Sequence, residues 1–130
     1  MDQQYIDEIA ERFLAAWNTQ DVEQVLACYT EDVRYVDPNT RGAVEGADAL
    51  RRYLTKLFAN WQMTWKLREA FPLLSETGAA VLWTASLRRA DGDEAVEVDG
   101  MDLVLQDGER IARNEVYFDR AVLAPLLAAA

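Results

Sequence analysis

Two aspartates stand where a chain of this kind has little reason to put a charge. In Val96-Glu97-Val98-Asp99-Gly100-Met101-Asp102-Leu103-Val104-Leu105 successive side chains alternate between the faces of a strand, so Val96, Val98, Gly100, Asp102 and Val104 share one side. That side is apolar except for Asp102. Burying an ionised carboxylate without partners is costly, so the group must be paired, protonated or turned into a cavity. The plainer alternatives are a strand end open to solvent, or a bulge at Gly100 that turns the acid outward. The second acid, Asp37, closes a short strand candidate, Val33-Arg34-Tyr35-Val36, just ahead of Pro38 and Asn39. An aspartate before proline commonly binds nearby backbone amides in a turn, whereas one at the end of a strand beside a pocket mouth can reach a ligand. A neutral acid at Asp102 and an ionised base at Asp37 would form a complementary pair for moving a proton.

Little else in the chain competes for that role. There is no histidine, which removes the commonest general base and the commonest metal ligand. No glycine-rich phosphate loop, paired-cysteine spacing or calcium-loop pattern is present, so neither a metal nor another cofactor is expected. With 13 basic against 23 acidic residues the net charge is −10, which opposes binding to nucleic acid or to an anionic membrane. Cys28 is a single cysteine in an apparent helix, no signal-peptide pattern opens the chain, and no apolar run is long enough to span a bilayer. The expectation is a soluble cytoplasmic protein.

At 130 residues the chain is read as one domain, 1–130, large enough for its own core. A first helix is expected from Gln3 to Asn18, with Ile6, Ile9, Ala10, Phe13, Ala16 and Trp17 on one stripe. Asp21-Val22-Glu23-Gln24 has capping-box spacing and starts a second helix that buries Val22, Val25, Leu26 and Tyr29. Leu50, Tyr53, Leu54, Leu57, Phe58 and Trp61 recur at helical spacing after the loop through Gly42 and Gly46. Alternation then takes over, predicting strands near 63–72, 79–90, 94–106 and 109–118, divided by Gly78, Asp91-Gly92 and Asp107-Gly108. The apolar segment from Ala121 to Ala130 reads as a last helical turn or a tail, limited by Pro125. Helices first and an antiparallel meander second imply an α+β domain with one sheet face against the helices.

Alternation also assigns faces. Trp83, Ala85 and Leu87 point inward, opposite Thr84, Ser86 and Arg88, while Ala112, Asn114, Val116 and Phe118 oppose Arg113, Glu115 and Tyr117. Asn114 is therefore a second polar group on an apolar face, either a satisfied core amide or a donor that orients a ligand. Trp17, Trp65 and Trp83, with Phe13, Val104, Val116 and Phe118, read individually as core and together as the wall of an apolar cavity. Tyr53 lies on a packed helix stripe from which its hydroxyl could tip into that cavity. Met101, Leu103 and Leu105 fall on the face opposite Asp102, and an exposed strip of that kind marks a partner surface; a homodimer through the sheet is expected.

Several phrases carry a family resemblance. They are Phe13-Leu14-Ala15-Ala16-Trp17-Asn18-Thr19-Gln20-Asp21, Cys28-Tyr29-Thr30-Glu31-Asp32-Val33, Val36-Asp37-Pro38, Gly100-Met101-Asp102-Leu103, Asp107-Gly108-Glu109-Arg110-Ile111 and Tyr117-Phe118-Asp119-Arg120. With the order of elements, they resemble the nuclear-transport-factor-2-like superfamily, in its SnoaL-like polyketide cyclase and ketosteroid isomerase-like branch. The resemblance implies a cone-shaped, curved antiparallel sheet wrapped around N-terminal helices, a cystatin-like α+β barrel. It places Asp37 where ketosteroid isomerase holds its base and Asp102 where that enzyme holds a protonated aspartic acid. The tyrosine of the isomerase oxyanion hole is replaced by Phe13. The implied activity is isomerase or cyclase chemistry without a cofactor, by proton abstraction next to a carbonyl of a small apolar molecule. The other reading is a non-catalytic ligand-binding or dimeric assembly module on the same fold.

Overall fold

The computed structural model describes residues 2–74 and 76–128. Its elements are α1 (Gln3–Asn18), α2 (Val22–Leu26), β1 (Tyr29–Val36), β2 (Val44–Glu45), α3 (Ala47–Asn60), β3 (Trp61–Pro72), β4 (Gly78–Arg89), β5 (Ala95–Asp107), β6 (Arg110–Tyr117), a 3-10 turn (Arg120–Leu123) and α4 (Ala124–Ala128). The six strands form one curved, unclosed sheet in the order β2-β1-β6-β5-β4-β3. The helices cover its concave face, and the architecture is the expected α+β cone.

The meander β3 to β6 is antiparallel, as alternation predicts, but β1 joins β6 in parallel. This pairing overturns the sequence reading of the second helix. Helix α2 stops at Leu26, and Tyr29, expected on its buried side, instead begins β1 opposite Ile111. Cys28 lies in the turn between them, half-buried, where its backbone carbonyl accepts from Ile111 N at 2.8 Å. Local helical spacing lost to a strand pairing across the whole chain. Within α2 the cap behaves as its sequence suggests, since the Asp21 carboxylate accepts from the backbone of Glu23 and Gln24 at 3.0 and 3.2 Å.

Strand β3 lies at the sheet edge, and α1 satisfies the backbone groups left there. Asn18 exchanges two hydrogen bonds with the backbone of Trp65, at 2.9 and 2.7 Å, and Gln20 reaches both Trp61 O and Met63 N, at 3.0 and 2.6 Å. Gln20 adopts φ 52° just past the helix end, which aims its side chain at the strand. These contacts block a free edge and fix the helix against the sheet. A register shift between Leu67 and Glu69 changes which residues face inward, so Met63 and Trp65 face the core before it and Ala70 after it.

Gly78, expected to separate strands, is the first residue of β4, and a Cβ there would collide with the Val104 carbonyl. At Gly100 an added Cβ would strike the indole of Trp83 and approach Tyr117 O at 2.7 Å. Gly100→Ala should therefore cost about 1–3 kcal/mol, read as a lower urea midpoint, because a packed indole must move. The terminal segment forms a 3-10 turn and a short helix with Pro125 in its first turn, where a missing N–H costs nothing. Ala129 and Ala130, the end of the predicted last turn, fall outside the described residues.

Candidate functional site

Asp102 lies on the concave face. The β4–β5 register runs unbroken through Trp83 opposite Gly100 and Val81 opposite Asp102, so there is no bulge to turn the acid outward. Val98, Asp102 and Val104 are buried and Trp83 is 1% exposed. The absence of a side chain at Gly100 lets the Trp83 indole lie over β5, and its Nε1 donates to Asp102 Oδ1 at 3.1 Å. Burial raises the Asp102 pKa to about 7; the hydrogen bond from Trp83 and then the nearby Asn114 amide oppose the rise, and the charge of Asp37 adds to it.

Asp37 performs the turn role and more. Its Oδ1 accepts from the backbone of Asn39 and Thr40 at 2.7 and 3.1 Å, the local bonding an aspartate before a turn makes. Its Oδ2 accepts from two tyrosine hydroxyls, Tyr35 at 2.7 Å and Tyr53 at 2.5 Å. Tyr35 arrives from β1, two residues away on the same face, and Tyr53 from α3. Burial, followed by the charge of Asp37, raises the pKa of both phenols, so they remain neutral donors.

The two acids belong to one surface. Val36 pairs with Glu115, so Asp37 falls beside Val116, and Val116 pairs with Asp102. Two strand spacings, about 10 Å, separate the backbone positions of the two acids along the concave face. Asp37 lines a cavity of about 50 Å³ whose walls include Trp17, Trp65, Trp83, Val116 and Phe118. Asp102 lines a smaller recess of about 20 Å³ that shares Trp17, Tyr35, Trp65 and Val116 with it. The rings brace one another edge to face, with Trp65 between Trp17 and Trp83 at centroid separations of 5.4 and 6.4 Å.

Four residues expected at the ligand do not line the main cavity. Asn114 is fully buried, accepts from Tyr29 Oη at 2.7 Å and donates to Leu103 O at 3.3 Å. Trp17 Nε1 donates in turn to Tyr29 Oη at 3.2 Å, so the amide anchors a core network instead of lining the cavity. Phe13 packs edge-on against Trp17 and Tyr29, and Val104 is core. Tyr53 reaches Asp37 but lines an outer pocket on the other side of Leu57 and Trp61. In exchange Tyr35, Asn39, Leu57, Met63 and Leu123 line the main cavity. Tyr35 was within reach of sequence reasoning, being two positions from Asp37 in a strand; Leu123 was not, because the terminal segment folds over the mouth from a distant part of the chain.

Among the described residues no three acid or cysteine side chains are placed to hold a metal ion, and no helix is long and apolar enough to cross a membrane.

A mixed sheet curled over helices, with polar groups held on its apolar concave face, defines an α+β cone of the nuclear-transport-factor-2-like kind. The SnoaL-like domain family matches residues 10–114, and the chain belongs to that family. No protein with a curated description matches in sequence. A protein with a ketosteroid isomerase-like fold from Catenulispora acidiphila superposes with a TM-score of 0.79 at 17% identity, covering 92% of each chain. A candidate polyketide cyclase from Pseudomonas putida gives 0.78 at 18% identity, over 92% of this chain and 95% of its own. TerC, crystallised with polyporic acid, gives 0.79 at 19% identity, over 94% and 97%. At these identities the likeness is one of fold.

Proposed function

We propose that this protein binds a small apolar carbonyl compound in the aromatic cavity and moves a proton at the carbon next to the carbonyl. Asp37 takes the proton, and Asp102, neutral over much of the range below pH 7, donates to the developing enolate oxygen. The observation that carries this reading is the unlike surroundings of two buried acids on one face. One is held by four donors; the other is raised to about 7 by its apolar surroundings. To act as base, Asp37 must exchange one tyrosine hydrogen bond at Oδ2 for the substrate, and the freed hydroxyl can then follow the substrate oxygen. Phe13, standing where the isomerase has a tyrosine, leaves Asp102 to serve as donor without that partner. TerC, crystallised with polyporic acid on the same fold, supports occupancy of the pocket by a ring compound.

The test is deuterium incorporation next to the carbonyl of 2-tetralone in D₂O, followed by NMR. Exchange well above the buffer rate supports the reading, and binding without exchange would leave only a ligand-binding module. That second reading draws on the small cavity, about 50 Å³, which is crowded by indoles and must widen to take a ring compound.

We also propose that the convex sheet face pairs two copies of the chain. Leu82, Met101 and Tyr117 lie in one row across β4, β5 and β6, and Phe71, Ala80 and Leu103 in the next. Phe71 and Tyr117 are about half exposed, at 49% and 53%, and with Leu105 they extend the apolar strip. The expected result is a dimer by analytical ultracentrifugation at micromolar concentration that Met101→Lys dissociates; a monomeric wild-type protein would end this proposal.

A further inference from the structure

The aromatic cavity opens beside a second pocket of about 230 Å³, and the two share Asn39, Leu57, Trp61 and Leu123. Three cations, Lys56, Arg89 and Arg120, line the outer pocket, and no carboxylate does. This is unexpected in a chain of net charge −10. Among the described residues none of the three takes part in an ion pair, although Arg34, Arg51, Arg68 and Arg113 each find one.

Arg89 and Arg120 are placed by contacts that leave their charge available. The Arg89 guanidinium lies over the Trp61 ring, 5.2 Å from its centroid, while its Nε is buried without a hydrogen-bond partner. A buried donor in that state costs stability unless something else satisfies it. Arg120 donates from Nε to Asn39 Oδ1 at 2.8 Å, and Asn39 in turn donates its backbone N–H to Asp37. The cationic vestibule is thereby tied to the wall that holds the proposed base. Trp61 separates vestibule from cavity with one face toward a guanidinium, an arrangement that suits an aromatic body inside and an anion outside.

We propose that the ligand of this site is an amphiphilic carboxylate: its apolar ring portion fills the aromatic cavity, and its carboxylate lies in the vestibule among Arg89, Arg120 and Lys56. This rests on the pocket reading above and specifies the substrate class as a ring keto acid. Screening confines the field of distant acidic residues to a range of roughly 8 Å at physiological salt, so the three nearby cations dominate at the mouth. A planar carboxylate matches the guanidinium fork, which favours it over a neutral ester of the same body.

The experiment compares naphthalene-2-acetate with its methyl ester by isothermal calorimetry on the full chain. The wild-type protein should bind the acid about tenfold tighter than the ester, the factor expected from one charge-assisted contact of about 1.4 kcal/mol. The double variant Lys56→Gln/Arg120→Gln, altered only at exposed side chains, should lose most of that preference while keeping its affinity for the ester, and high salt should narrow the gap in the wild type. Arg89→Met removes the guanidinium from Trp61 while keeping an apolar side chain on β4, and should act in the same direction. An ester that binds the wild type as tightly as the acid overturns the proposal and leaves the apolar pocket standing. Binding of neither compound overturns both, and an unchanged acid preference in the double variant overturns the role of these cations.

Discussion

Asp37→Asn should reduce deuterium exchange into 2-tetralone at least about a hundredfold while leaving the fold intact, since acid-base groups of this kind contribute roughly 10²–10⁴ in rate. The substitution keeps Oδ1 as acceptor for Asn39 N and Thr40 N and places an NH₂ group where Oδ2 was. Tyr35 and Tyr53 now donate to Oδ2, and each hydroxyl can rotate to accept from the amide. Four interactions survive, and the charge and the basic lone pair do not. Asp37→Ala is the contrasting variant: two largely enclosed hydroxyls lose their acceptor, at a cost of about 1–3 kcal/mol for each left unsatisfied. Removing the Asp37 charge should also lower the pKa of Asp102, which that charge helps to raise. A titration by carbon NMR measures this directly. Exchange by Asp37→Asn within a few-fold of wild type would reject Asp37 as the base.

Asp102→Asn should make the protein more stable at pH 8 and leave it unchanged near pH 4. The folded state holds the Asp102 proton up to about pH 7, whereas an unfolded chain releases it near the ordinary value of 3.8. Between those values the native state binds more protons than the unfolded state, so this group makes stability fall as pH rises. Above pH 7 both states are ionised and the whole penalty of the buried charge is present. A rise from 3.8 to about 7 corresponds to about 4 kcal/mol once both states are ionised, so the asparagine variant should gain a stability of that order over wild type at pH 8. Its amide oxygen retains the acceptor for Trp83 Nε1. Urea unfolding of the two proteins across pH 4–8 isolates the effect, because other carboxylates are common to both. A stability difference that does not grow with pH would mean Asp102 is already ionised in the folded protein at low pH.

Asp102 was legible in the sequence because a strand's period of two fixes orientation without any knowledge of the partner strands. The same rule placed Trp83, Ala85 and Leu87 inward, and all three are buried. The antiparallel meander was readable from turn residues, and Asp107-Gly108 turns with Gly108 at φ +65°. The first strand was read only in part. Val33 to Val36 suggested a strand, but Tyr29 sat at helical spacing behind Val22, Val25 and Leu26, and only β6 draws it into the sheet. Convergence on Asp37 was half visible, since Tyr35 is local whereas Tyr53 comes from α3. Asn114 could be recognised as a polar group on an apolar face; its commitment to Tyr29 depends on a side-chain contact that no periodicity encodes. The vestibule was hidden for the same reason, because Lys56, Arg89 and Arg120 lie far apart in the chain.

The parallel seam between β1 and β6 has a consequence for biosynthesis. The strand that carries Tyr35 and leads into Asp37 is made well before residues 111–115, from which it takes its register. Until those residues clear the ribosome, the nascent meander lacks the neighbour against which β1 docks, and contacts so distant along the chain form slowly. The pocket around Asp37 should thus mature only once β6 has been made, and a ribosome stalled before β6 would display helices and hairpins without it.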